Sequence, residues 1–234
     1  KELYFAGGEP LLIPEHYKIL EFMVDSGNAK NCVLRYNSNG LELPDKLFSL
    51  WSHFKEVKFN FSIDAVGVRN EYIRYPTSWD TVVKNLDILD KTPDNITVNI
   101  ACAIQALNVM HLPDLVEWKE HQNYKKINLP PYGAGLIGTH LVYLPSYLNV
   151  RVLPEHIKKS VTSRAKLFIA KHNYSREFIS SPYGLKRYEG LLNYMNAVDW
   201  SHKLPMLKEY LEITDSTRGT NFKDVFPELR TIWN

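Results

Sequence analysis

Over roughly the first 145 residues, short apolar runs bounded by turn residues alternate with longer stretches in which apolar side chains recur every three or four positions. The runs predict strands at 3–6, 32–36, 57–63 and 97–107. The longer stretches predict helices at 14–26, 44–54, 79–91 and 111–121. In the first of these, Tyr17, Leu20, Phe22, Met23 and Val24 share one side before Gly27 and Asn28 stop it. Leu47, Phe48, Leu50 and Trp51 do the same for the second, and Val82, Val83, Leu86 and Leu89 for the third. A fifth strand is placed at 139–144 in preference to 127–129, across a connection rich in Pro and Gly. Alternating strands and helices argue for βα units on a parallel sheet. Beyond Pro145 the strand rhythm stops, and 154–172, 187–198 and 204–215 carry helical spacing. Residues 222–229 read as a short terminal helix stopped by proline. The expected division is an α/β core over 1–147 and a helical extension over 148–234.

The 234 residues, 44% of them hydrophobic, suffice for a substantial core. The formal net charge is +2 with acids and bases interspersed, which gives no signature for nucleic acid. Lys125-Lys126 and Lys158-Lys159 read as solvated faces. No apolar run approaches the ~20 residues that span a bilayer, and no charged-then-apolar leader opens the chain. The expectation is a cytoplasmic protein without membrane or nucleic-acid partners. Cys32 and Cys102 read as small buried hydrophobes. The Asn-x-Ser/Thr matches at Asn60, Asn95 and Asn173 are taken as chance, the first lying inside a strand.

Chemistry concentrates at the carboxyl ends of the strands, where parallel α/β sheets keep their ligands. Gly7-Gly8-Glu9-Pro10 follows the first strand and opens the first helix. Two glycines permit positive φ or close backbone approach, Pro10 suits a first helical turn, and Glu9 sets a carboxylate at the strand end. Asn37 and Asn39 end the second strand in Tyr-Asn-Ser-Asn-Gly, where a turn role stands beside ligand contact. Ser62 and Asp64 close the third strand on one face, with a helix-capping or turn role as the alternative for Asp64. Arg74 offers two-pronged carboxylate recognition or a surface ion pair. Gln105 stands late in the fourth strand.

Together, the Gly-Gly-Glu-Pro turn, the Asn-Ser-Asn-Gly element, Ser62-Ile63-Asp64 and Glu71-Tyr72-Ile73-Arg74 resemble the radical S-adenosylmethionine (radical SAM) superfamily. The resemblance implies an α/β fold, a partial TIM-like (β/α) barrel of parallel strands with a helical C-terminal extension. It implies that Gly7, Gly8, Glu9 and Pro10 bind the α-ammonium of SAM's methionine moiety and that Arg74 clamps its carboxylate. Ser62 and Asp64 would meet the ribose hydroxyls or the methionyl end. Asn37 and Asn39 match the family's Thr-Asn-Gly element, and Gln105 would line the same mouth, with Ile104 or Leu107 against adenine.

Members of that family hold a [4Fe-4S] cluster through a Cys-x3-Cys-x2-Cys loop upstream of this turn, whereas Cys32 and Cys102 both lie downstream and far apart. The chain therefore reads as most of a radical SAM protein lacking its cluster-binding opening, in keeping with its start at Lys1. The parent would cleave SAM to a 5'-deoxyadenosyl radical that takes hydrogen from a small-molecule or peptide substrate. This chain alone is expected to be inactive and to hold neither cluster nor SAM stably, and no catalytic or metal-ligating residue is assigned. Its cysteine-free extension resembles short twitch-type members. The alternative is a non-catalytic barrel serving as a SAM-like ligand-binding or protein-interaction module. An open barrel edge predicts a homodimer or a covering segment.

Other patterns are set aside. Gly133, Gly135 and Gly138 match GxGxxG, yet the following residues read as a strand where a dinucleotide fold needs a helix. Glu117 and His121 lie one helical turn apart and could share a metal, but without a second histidine in HExxH spacing or an acid partner nearby they read as an ordinary surface pair. Tyr132, Tyr143, Tyr147 and Tyr183 either line a substrate mouth or pack partly buried.

Overall fold

The structure, a computed structural model, describes residues 1–127, 137–171 and 185–233. The chain is α/β. Strands β1 (Glu2–Phe5), β2 (Val33–Ser38), β3 (Glu56–Ser62), β4 (Ile96–Ile104) and β5 (Gly138–Leu141) form one curled half-barrel sheet in the order β1-β2-β3-β4-β5. The first three pairings are parallel, with Tyr36 opposite Phe59 and Asn37 opposite Asn60 and then Asn99. Each strand neighbours the next in sequence, whereas a doubly wound sheet reverses its order. Among the described residues the helices are α1 (Pro14–Asp25), α2 (Asp45–Trp51), α3 (Val68–Ile73), α4 (Trp79–Asp90), α5 (Leu112–His121), α6 (Glu155–Lys171), α7 (Leu185–Ala197), α8 (Leu204–Arg218) and α9 (Phe222–Val225).

Boundaries shift where neighbours decide them. β2 continues through Asn37 to Ser38 because the ladder to β3 continues there, so Asn37 lies inside the strand and not at its end. β4 stops at Ile104, which leaves Gln105 beyond it. The preferred fifth strand is present, and Gly138 opens it where the GxGxxG pattern would require a helix. Ile127 is in a turn, while the rest of the competing 127–129 segment lies outside the described residues, as do Tyr132, Asn173 and Tyr183.

The chain divides into two compact units. The first comprises Lys1–Ile63, Thr77–Ala101 and Gln122–Gly138. Here Leu34, Tyr36 and Ser38 of β2 and Val57, Phe59 and Phe61 of β3 are buried at period two. Tyr36 stacks on Phe5 at 5.2 Å, its hydroxyl accepts from Trp51 Nε1 at 3.2 Å, and it lies 2.9 Å from His16 Nε2. Burial brings the His16 pKa down to about 4, so the ring is neutral. Val82, Leu86 and Leu89 of α4 are also buried, and burying each such side chain stabilises by about 1.5–3 kcal/mol. Lys125 is exposed, as expected, whereas Lys126 is half-buried. Their backbone N–H groups, with that of Ile127, donate to the Asp90 carboxylate, and Lys126 Nζ donates to the carbonyls of Pro93 and Ile96. The opposite sheet face carries Arg35, Asn37, Lys58, Asn60 and Ser62, all half-buried.

The second unit comprises Asp64–Pro76, Cys102–His121 and Thr139–Asn234. Asp215 organises it, accepting from the Tyr72 hydroxyl at 3.0 Å, Thr220 Oγ1 at 2.8 Å and the Phe222 backbone at 2.9 Å. The α8 helix ends on Gly219 in the left-handed region, φ +65°. Arg151 lies 3.6 Å over the Tyr194 ring and donates Nε to the Tyr194 carbonyl. Lys158, expected on a solvated face, is instead buried, its Nζ 3.5 Å from Asp199 Oδ1. The predicted terminal helix is two pieces, α9 and a 3-10 segment Pro227–Trp233. Pro227 forces the split, because it disfavours helical geometry at Phe226. Both cysteines are buried and free, as expected. Among the described residues no helix is long and apolar enough to cross a membrane.

Candidate functional site

Gly7 and Gly8 leave β1 with φ +86° and +58°, both are exposed, and a Cβ on either would meet nothing within 4 Å. Glu9 returns to extended backbone and Pro10 begins a short 3-10 turn, Pro10–Leu12, before α1. The Glu9 carboxylate points back to the neighbouring strand end. Oε1 accepts from Ser38 Oγ at 2.6 Å and from the Leu11 N–H at 3.3 Å, and Oε2 accepts from the Asn39 N–H at 2.7 Å. Ser38 Oγ in turn accepts from the Gly40 N–H at 2.9 Å. Asn39 takes the turn role, its Oδ1 receiving the Leu41 N–H at 3.0 Å. Glu9, Ser38 and Asn39 thus form one anchored loop pair with an open backbone turn beside it.

In the second unit Asp64 follows β3 and is buried. Its Oδ1 accepts from the Ala103 N–H at 2.7 Å, and its Oδ2 lies 2.8 Å from Arg74 Nε. The Asp64 N–H donates to Asn70 Oδ1 at 3.0 Å and its carbonyl accepts from Asn108 Nδ2 at 2.9 Å. Burial pushes this carboxyl above its ordinary value, and Arg74 with the Ala103 N–H pulls the other way. Arg74 therefore meets a carboxylate of the protein's own. Gln105 donates its backbone N–H to Asn108 Oδ1 at 2.8 Å, and its side-chain Oε1 is buried without a hydrogen-bond partner. Ile104 and Leu107 are both buried.

On the half-buried sheet face of the first unit a row of side chains crosses four strands. Asn37 Nδ2 donates to the Tyr4 hydroxyl at 2.7 Å, Asn60 Nδ2 to Asn37 Oδ1 at 2.9 Å, and Asn99 Nδ2 to Asn60 Oδ1 at 3.4 Å. Of these, sequence reasoning offered Asn37 alone as a ligand-contacting residue. The available signal was an Asn at the polar phase of period two in three successive strands. Ser62 stands on the same face, one alternation further along β3.

Glu117 and His121 do not meet through their side chains. His121 Nδ1 lies 2.6 Å from the Glu117 carbonyl, while the Glu117 carboxylate pairs with Lys171 at 2.9 Å. Tyr143 is exposed and packs edge-on to Tyr194 at 5.7 Å, and Tyr147 lies 5.3 Å from Tyr210. Among the described residues no three His, Cys, Asp or Glu side chains are placed to hold a metal ion. Cys32 Sγ lies 3.6 Å from the Val33 carbonyl and Cys102 Sγ 3.6 Å from that of Asp64, each within the core. The residues present therefore do not fit an iron-sulfur cluster, which needs several converging thiolates. Compared with known proteins, the chain matches no family model and no curated protein.

Proposed function

We propose that this chain is the S-adenosylmethionine-facing part of a radical SAM barrel and does not itself initiate radicals. The observation that carries the reading is the turn after β1. Its two positive-φ glycines leave open space where a Cβ would stand, and Glu9 is fixed from behind by Ser38 and Asn39. Gly7, Gly8 and Glu9 would hold the methionyl ammonium, with Asn39 positioning Glu9. Within the second unit Asp64 orients Arg74, and the resemblance implies ligand contacts for these two residues and Gln105. In radical SAM enzymes SAM, reduced by a [4Fe-4S] cluster, supplies a hydrogen-abstracting 5'-deoxyadenosyl radical. The thiolates for that cluster are not among these residues.

Titration calorimetry with SAM tests the proposal. Weak, saturable heat that Gly8→Ala diminishes is expected, and no heat from the parent chain would defeat it. The lack of a thiolate set also favours a second reading, a barrel that binds SAM or a related ligand without cleaving it. Anaerobic incubation with iron and sulfide examines both readings. A stoichiometric cluster would show that the chain supplies ligands neither reading grants it.

A further inference from the structure

The Tyr4-Asn37-Asn60-Asn99 row has a direction, each amide donating toward β1, with Asn37 and Asn60 also accepting from the β4 side. A primary amide has two N–H donors and two acceptor lone pairs. After the row's own bonds, Asn37 and Asn60 each retain one donor and one acceptor. At the β1 end the Tyr4 hydroxyl still has its proton to give. At the other end Asn99 is only 6% exposed, and its Oδ1 is buried without a hydrogen-bond partner. An orphaned buried acceptor is costly, and its place at the head of the row points to a donor that the described residues do not supply. Gly138 permits this arrangement, since a Cβ there would lie 2.9 Å from Asn99 Nδ2.

Charge narrows the occupant. The ionic side chains on the adjoining rung are committed, Arg35 to Glu2 at 3.4 Å and Lys58 to Glu56 at 3.4 Å. A charged ligand would lose water here and have to compete with those partners for a counter-charge. A neutral group that carries donor and acceptor together matches the row, and the amide is that group. We propose that this sheet face binds the neutral amide groups of a peptide, which in the enzyme proposed above is the substrate. The role as substrate site rests on the radical SAM reading, whereas the binding does not.

The test follows the side-chain NH2 signals of Asn37 and Asn60 by NMR in the full 234-residue chain during titration with acetyl-Ala-Ala-Ala-amide, succinate or adenosine. The two NH2 pairs are expected to shift together and saturate with the capped peptide and to stay still with succinate. Asn60→Leu, which breaks the row at its centre, should weaken peptide binding about tenfold. Tyr4→Phe, at a side chain 56% exposed and so harmless to folding, should weaken it about threefold. Signals unmoved by peptide, or moved equally by succinate, overturn the proposal, and shifts with adenosine alone overturn it in favour of a nucleobase ligand. Peptide shifts without SAM heat would retain this surface and sink the radical SAM reading. SAM heat with unmoved amides would do the reverse.

Discussion

His111 stands just before α5, 4% exposed, with a carboxylate at each ring nitrogen: Asp114 Oδ2 at 2.9 Å from Nδ1 and Glu228 Oε1 at 2.5 Å from Nε2. A neutral imidazole carries one N–H and an ionised carboxylate carries none, so both contacts are hydrogen bonds only when the ring is an imidazolium. Burial opposes that charge, and Arg69 adds to the opposition. The bonds to Asp114 and Glu228 outweigh both and hold the pKa above the usual histidine value. Burial would raise the two carboxyls, but the imidazolium, helped by Arg164 at Asp114, brings both below their usual values. The cluster joins α5, α6 and the Pro227–Trp233 segment.

His111→Ala removes two charge-assisted bonds, each contributing about 1.5–3 kcal/mol. Asp114, 32% exposed, keeps Arg164, whereas Glu228, 20% exposed, loses the cation bonded to it and keeps only the field of Arg69. Discounting Asp114 for water and Arg164 leaves an expected loss of about 2–4 kcal/mol. The sign with pH follows from linkage. A raised histidine pKa gives stabilisation that is complete below its unfolded value of about 6.5 and disappears as pH rises through the folded one. The depressed carboxyls contribute above their unfolded values of about 4 and lose that contribution as pH falls through the folded ones. Urea denaturation of parent and variant should therefore show a gap that is larger at about pH 6 than at about pH 9. Equal gaps, or a His111 ring that titrates at or below the ordinary histidine value by NMR, would refute the imidazolium.

Two further outcomes follow from packing. Gly40, at φ +61°, would place a Cβ 2.7 Å from the buried Phe61 ring, whereas Gly8 has open space. Gly8→Ala should cost about 1–2 kcal/mol and Gly40→Ala about 2–5 kcal/mol by chemical denaturation, and equal losses would show that the Phe61 ring yields. Cys32 and Cys102 are each 1% exposed, and burial raises the Cys102 thiol pKa. Neither should react with an aromatic disulfide reagent until denaturant is added, and rapid labelling of the native chain would contradict their burial.

The helices and strands were legible because period and turn residues act locally, and among the described residues five strands appear where five were expected. What decided the strand ends was not local. Asn37 resembles a turn residue by type, yet the β3 ladder draws it into β2 opposite Asn60. The short α3 was missed because only six residues and Gly67 at φ +61° define it, too few for a helical period to register. Lys158 reads as solvent-facing from its charge, but its long apolar stem permits burial while Nζ reaches Asp199. The His111 cluster depends on Glu228, which lies 117 positions away in sequence, so no motif spacing announces it. Within the candidate site, the Gly-Gly-Glu-Pro turn was visible in four consecutive letters, whereas the partners that hold Glu9 and Asp64 emerge only when separate strand ends meet.

Those partners determine which residue can distinguish scaffold from ligand site. An ionised carboxylate offers about four lone-pair positions, and Glu9 already receives the donors of Ser38, Leu11 and Asn39. One position remains for an ammonium, so anchoring and recognition are compatible. A carboxylate fixed in advance also spares a ligand the cost of ordering it. For the same reason a Glu9 variant cannot separate the two roles, because an amide there would set N–H donors against N–H donors and loosen the loop whether or not a ligand binds. Asp64 has the same difficulty, since its loss would leave the half-buried Arg74 guanidinium without that carboxylate. Gly8 touches no neighbour that a methyl group would disturb, and its strain can be measured independently as lost stability. A fall in SAM affinity beyond what that strain explains therefore reports on the space in front of the turn. An unchanged affinity would assign the Gly-Gly-Glu-Pro sequence to chain geometry alone.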